Sequence, residues 1–177
     1  MNFEIPKLAW LKAVMMAAAK KDIRYYLNGV MVRNGELAAT NGHMALLIKS
    51  ESIKSVGEYI IDNDTLKMIV TAHKGIKGDN RVEVINGMTV TGKIGVQINP
   101  VDGKFPDVNR VIPQELSGEI AHFNAEYLLA CQKANEEFLD RKNVYIKLQH
   151  NGQSGAKFES EDEDGNKLVG AVMPVKI

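Results

Sequence analysis

The sequence holds a single cysteine, Cys131, which excludes an intrachain disulfide and a cysteine-rich zinc site. It has no excess charge of either sign: 22 Lys and Arg balance 22 Asp and Glu. Binding to nucleic acid by bulk attraction is therefore excluded, and any such contact must come from a local stripe of basic side chains. No apolar run approaches the roughly 18 residues of a membrane span. The opening MNFEIPKLAW is interrupted by Glu4 and Pro6, so it does not read as a signal peptide, and a cytoplasmic location is expected. Aromatics are scarce at 6%, but 45% hydrophobic and 25% charged residues over 177 positions is an ordinary globular composition. That length allows one large domain, or one domain and a substantial part of another.

The hydrophobic pattern falls into three similar units, each a short strand, a capping residue, a helix and further strands. The first predicts a strand at Phe3–Ile5 and a helix from Pro6 to about Lys20, with Leu8, Leu11, Met15 and Ala18 as its buried stripe. Strands are expected at Tyr25–Arg33, Leu37–Thr40 and His43–Ile48, with Asn34-Gly35 as a hairpin turn. The second unit predicts a strand at Glu58–Ile61, N-caps among Asp62, Asn63 and Asp64, and a helix carrying Leu66, Ile69 and Val70. Strands at Arg81–Ile85 and Met88–Ile98 flank Asn86-Gly87. The third predicts a strand at Glu119–Phe123, an Asn124 cap, a helix with Tyr127, Leu128 and Cys131, and strands at Val144–Leu148, Lys157–Ser160 and Val169–Val175. A strand–helix–strands pattern recurring about every 60 residues points to an α+β fold of repeated units rather than a βαβ crossover fold. The proline-rich stretch Asn99–Ser117 is the best connector, dividing residues 1–113 from 114–177.

Motifs for chemistry are few. Gly87–Ile94 approaches a phosphate-binding loop, but Ile94 replaces the metal-binding hydroxyl and the intervening residues alternate as a strand. His43, His73, His122 and His150 are scattered without metal-ligand spacing. The acidic run from Glu159 to Asp164 lacks calcium-loop spacing and ends in Asp164-Gly165, a turn signal. Asn63-Asp64-Thr65 reads as a helix start and Cys131 as a small core residue. No nucleophile–base pair is visible, so the chain reads as a non-enzyme without catalytic residues, metal or cofactor. Its lysines are more informative. Lys7, Lys12, Lys20 and Lys21 flank the first helix, and Lys67, Lys74 and Lys77 follow on or after the second. Together they would make a sequence-blind face for duplex DNA, although lysines that merely solvate exposed helices would look the same.

Five strings appear in one order: RYYLNG at 24–29, ATNGHMAL at 39–46, DGKFPDVNRVIP at 102–113, FNAEYLL at 123–129 and the closing AVMPVKI. Together they closely resemble the bacterial sliding clamp, the DNA polymerase III beta subunit. The resemblance makes residues 1–113 the counterpart of that family's middle domain and 114–177 the second half of its last domain; the first domain and the first half of the last have no counterpart here. It implies a clamp fold with helices lining a central hole and antiparallel sheets outside. It also implies an oligomer that encircles duplex DNA, a clamp loader, and capture of polymerases and other replication proteins by a short peptide docked in an apolar pocket.

The pocket positions implied by the resemblance are Leu27 in the wall; Thr40, Gly42, His43, Met44 and Leu46 around a bend; Pro106, Arg110 and Val111 on the connector; Asn124 and Tyr127 at the last helix; and Val172, Met173, Pro174 and Val175 in the final strand. Two departures stand out. Asn41 and Met44 replace the family's Asp and Arg, so a peptide is expected to bind by packing alone; Lys176-Ile177 replaces a terminal Arg-Leu. A family ring holds twelve units, so three per chain imply four chains. The competing expectation is a peptide-binding decoy or adaptor that never encircles DNA.

Overall fold

The structure is a computed structural model, and it describes residues 1–78, 80–113 and 119–175. The expected boundary at 113/114 and the Lys176-Ile177 end touch positions outside the described residues. Among the described residues, eleven strands and three α-helices run in the order β1 (Phe3–Ile5), α1 (Leu8–Met15), β2 (Gly29–Arg33), β3 (Glu36–Thr40), β4 (Met44–Lys49), β5 (Lys54–Ser55), β6 (Tyr59–Asp62), α2 (Asn63–Ala72), β7 (Val82–Ile85), β8 (Met88–Thr89), α3 (Ala125–Leu139), β9 (Gln149–Asn151), β10 (Gly155–Glu161) and β11 (Lys167–Val172). The fold is α+β, with every strand pairing antiparallel.

One sheet has the order β5-β1-β7-β8; the other, seven strands wide, has the order β6-β2-β3-β4-β11-β10-β9. The larger sheet is apolar on both faces because its strands alternate between two cores. Leu37, Ala39, Leu46, Ile48, Leu168 and Val172 face the helices, while Ala38, Ala45, Leu47 and Val169 face the other way and are covered by Leu27, Phe105 and Val108. The first core and this sheet both run across the sequence division at 113/114.

On the helix side, α1 packs between α2 and α3. The start of α1 lies with the ends of the other two, so it is antiparallel to both. Trp10 stacks on Phe138 at 5.9 Å, and Lys12 reaches Glu137 at 2.6 Å. Asp62 caps α2 by accepting from the amides of Asp64 and Thr65, and Asn124 caps α3 by accepting from Glu126. Cys131 is fully buried on α3, and burial pushes its thiol up to about 12, leaving it an unreactive packing residue.

Several elements differ from the sequence expectation. Helix α1 spans 8–15 rather than 6–20. Lys7 is extended and takes the cap position, leaving Pro6 outside, and Met16, Ala17 and Ala18 tighten into three-residue turns. Its buried face is Trp10, Leu11, Ala13 and Val14, so Leu8 and Met15 flank the stripe. Tyr25–Leu27 is a 3₁₀ turn, not strand. Residues 88–98 fold back on themselves, Thr89 N donating to Val96 O and Ile98 N to Gly87 O, in place of one long strand. The expected strands Glu119–Phe123 and Val144–Leu148 join no ladder among the described residues.

The first two units are mated reciprocally: β1 of the first pairs with β7 of the second, and β6 of the second with β2 of the first. Gly29 makes the second of these contacts possible, since a Cβ there would stand 2.2 Å from the Ile61 carbonyl oxygen. Gly29→Ala should destabilise the chain by about 1–3 kcal/mol, as overpacking against a backbone atom that cannot move aside. Urea unfolding checks this; an unchanged midpoint would contradict the pairing of β2 with β6.

Candidate functional site

The site begins at the bend between β3 and β4. Thr40 Oγ1 donates to Met44 O at 2.8 Å and accepts from Gly42 N at 3.1 Å. Asn41 Oδ1 accepts from the amides of His43 and Met44 at 2.9 and 3.0 Å. An Asx turn needs only a side-chain carbonyl-type acceptor, so Asn41 performs it as an aspartate would. Gly42 is left-handed, at φ 87°. Beyond β11, Met173 N donates to His43 O at 2.8 Å, tying the end of the last strand to the bend. This contact follows from the register of β4 on β11, in which Met44 opposes Val172.

Above this junction lies an apolar cavity of about 170 Å³ on the sheet face away from the helices. Its lining includes Leu27, Thr40, Gly42, His43, Met44, Pro106, Val111 and Met173, all expected from the sequence. Seven expected residues lie elsewhere. Leu46 and Val172 point into the helix-side core, because neighbouring strand residues face opposite ways; Ala45 and Ala171, paired across the strands, line the cavity instead. The Arg110 side chain is largely exposed and pairs with Asp107 at 3.5 Å on the rim. Asn124 is engaged as the α3 cap. Tyr127 stands behind the lining, its ring stacked on His43 at 5.8 Å and 9°. Val175 N donates to His122 O, and Pro174 lies between it and Met173, outside the lining.

Arg24, Tyr26, Asp107 and Val108 also line the cavity and were not singled out from the sequence, although Arg24 and Tyr26 sit inside the string RYYLNG. Arg24 brings a guanidinium to the cavity edge from outside the bend, at a position other than Met44. Its guanidinium lies over the bend, where a Cβ at Gly42 would meet Nη2 at 3.1 Å. Asp22 holds it there by accepting from Nε at 3.0 Å and Nη2 at 2.7 Å. Those side-chain bonds, with the Arg24 backbone amide, draw the Asp22 carboxyl down to about 2. The pair therefore stays ionised above the ordinary carboxylate value of 3.8 and is lost only as pH falls through about 2.

The expected DNA-facing lysines divide between two grooves on the helix layer. Lys7, Lys12 and Lys74 line one, together with Glu137, Asp140, Glu161, Asp162, Glu163 and Asp164. There Lys7 pairs with Asp162 at 3.3 Å and Lys12 with Glu137. Lys20, Lys21 and Lys67 line the other with Lys133, and Lys67 pairs with Asp64 at 2.8 Å. Lys77 is exposed outside both. Among the described residues no group of three or more histidine, cysteine or acidic side chains could hold a metal ion, and no helix is long and apolar enough to cross a membrane.

No family model matches the chain. The beta sliding clamp of Pseudomonas aeruginosa is 28% identical over 162 residues, covering 82% of this chain and 44% of its own length. That of Escherichia coli K12 is 30% identical over 112 residues, covering 59% of this chain and 31% of its own length. The chain therefore spans less than half the length of these relatives. The solved DNA polymerase III subunit beta from Pseudomonas aeruginosa superposes with a TM-score of 0.72 at 20% identity, over 100% of this chain and 67% of that one. The sliding clamp from Bartonella birtlesii bound to griselimycin gives 0.73 at 19%, over 99% and 66%. The chain thus resembles the beta sliding clamp in sequence and has the sliding-clamp fold.

An NMR titration should find the Asp22 carboxyl near 2 and, in Arg24→Ala, back toward 3.8. An unshifted value in the parent protein would remove the Arg24 clamp from the cavity edge.

Proposed function

We propose that this chain is a clamp-like DNA replication factor, without catalytic activity, that captures short apolar peptides of DNA polymerases and other replication proteins in the cavity between β4, β11 and the connector. The observation carrying this reading is the cavity itself. Leu27, Val108, Val111 and Met173 offer an apolar slot, while Arg24 and His43 at its edge provide polar handles that fix a peptide's orientation. Tyr127 acts from behind, holding the His43 ring by stacking. The similarity to beta sliding clamps supports the same reading.

In the cytoplasm such a factor would act as an oligomer closed around duplex DNA, delivered by a clamp loader. Residues 1–113 would form the complete clamp domain and 114–177 half of another; four chains would supply the twelve units of a ring. A second reading, a decoy or adaptor that takes the peptide without encircling DNA, is favoured by the charges on the helix layer. Three of the seven candidate lysines are already paired with carboxylates, and six acidic residues share the groove of Lys7, Lys12 and Lys74. Tight phosphate tracking is not what that surface offers.

A fluorescein-labelled clamp-binding peptide of a bacterial replicative polymerase tests the cavity. Met173→Ala with Val111→Ala should weaken its binding about tenfold or more, by removing apolar contact from an otherwise intact pocket. Unchanged polarisation curves would refute the assignment. The two assemblies separate on DNA topology. An encircling oligomer is retained on nicked circular DNA and released when the circle is linearised, whereas a decoy shows no retention and inhibits the polymerase whose peptide it holds.

A further inference from the structure

The cavity, at about 170 Å³, is small for a peptide. A dry cavity of roughly 150 Å³ takes one benzene-sized ring, whereas pockets that bury a whole drug-sized ligand measure about 300–1,000 Å³. One seated side chain therefore fills it. Burial of a single side chain offsets little of the freedom that a flexible peptide loses on binding, so capture needs a second point of attachment beside the first.

The turn that supplies Leu27 offers one. Tyr25–Leu27 is a 3₁₀ turn closed by Leu27 N donating to Arg24 O and Asn28 N to Tyr25 O. With about three residues per turn, neighbouring side chains point roughly 120° apart. Leu27 is thereby buried in the cavity wall and Tyr26 lines the cavity, while Tyr25 is turned out and stays 57% exposed. The two tyrosine rings meet edge to face with centroids 5.8 Å apart. The main chain at Gly103 backs both, since a Cβ there would stand 3.2 Å from Tyr26 Cβ and 3.7 Å from Tyr25 Cε2. Two residues before Tyr25, Ile23 is 97% exposed. Its neighbours on either side are fixed. Asp22 N donates to Asn28 Oδ1 at 2.8 Å, Asn28 Nδ2 donates to Asp22 O at 2.9 Å, and Arg24 N donates to Asp22 Oδ1 at 2.8 Å. A braced loop thus holds a large apolar side chain in water close to the cavity edge that Arg24 forms.

We propose that Tyr25 and Ile23 form a shelf that seats a further apolar or aromatic side chain of the captured peptide, on the residue two along from the one in the cavity. Residues i and i+2 of an extended peptide share a face about 6.7 Å apart, close to the step from Tyr26 at the cavity to the ring of Tyr25. Tyrosine suits the task because it offers wide contact area with few rotamers to lose. The bracing of residues 22–24 suits it as well, since that loop has little freedom left to give up on binding. This inference rests on the cavity reading and extends it to a second anchor that shares no residue with the cavity lining.

A fluorescein-labelled clamp-binding peptide of a bacterial replicative polymerase, carrying tryptophan or alanine at each position in turn, separates the two anchors. On the parent protein one tryptophan, two residues from the side chain whose loss is coupled to Met173→Ala, should tighten binding about fivefold over alanine, the worth of one aromatic contact. Tyr25→Ala with Ile23→Ser should erase that difference while the alanine form still binds within about twofold, and Tyr25→Phe should keep it. Both side chains are exposed, so circular dichroism should be unchanged in these variants. The shelf is overturned if no position shows the gain, or if the gain survives Tyr25→Ala with Ile23→Ser. A native mass that drops in that double variant would give the shelf to a second copy and overturn it equally. Failure of the parent protein to bind any form removes the cavity reading and the shelf with it, whereas binding without the tryptophan gain removes the shelf alone.

Discussion

The structure depends on one strand pairing, β4 against β11. Six consecutive residue pairs, from Met44 with Val172 to Lys49 with Lys167, join the first unit to the third across more than a hundred residues of sequence. That register places the end of the chain at the bend of residues 40–43, fuses the two halves of the larger sheet and lays a continuous apolar surface under the connector. A shift of one residue would turn Ala171 and Met173 toward the helices and Val172 toward the cavity, exchanging both faces at once. The six-pair ladder and two separate cores on its faces both oppose that slip.

The bend shows how the departures noted in the sequence can be absorbed. Asn41 keeps the Asx turn because the turn requires an acceptor and not a charge. Met44 places an apolar side chain at the cavity, while Arg24, fixed by Asp22, brings a guanidinium to the edge from a different part of the chain. The chemistry of the slot is therefore apolar with one oriented cation, assembled differently from what the loss of a basic residue at 44 suggests.

Much of the fold was legible in the sequence because its signals are local. Asn-Gly turns, the Asp62 and Asn124 caps and the short apolar runs of β2, β3, β4, β10 and β11 all rest on short-range chemistry that the structure repeats. The candidate site was legible by resemblance to within a strand face. Leu46 and Val172 share their strands with cavity residues but point the other way, which a string match does not distinguish and a period of two does. Tyr25–Leu27 and residues 88–98 misled because apolar content resembles strand where tertiary packing and glycines such as Gly92, at φ 96°, select turns. The lysines misled differently. Spacing places Lys12 on a surface but does not reveal that Glu137 of α3 lies opposite it.

The central claim, that the joint between β4 and β11 forms a peptide slot, is most directly tested by mapping amide chemical shifts as a polymerase-derived clamp-binding peptide is added. Shifts concentrated at Gly42, Ala45, Ala171 and Met173, with those of α2 unmoved, are the predicted result. Shifts confined to the helix layer, or none at saturating peptide, would contradict it.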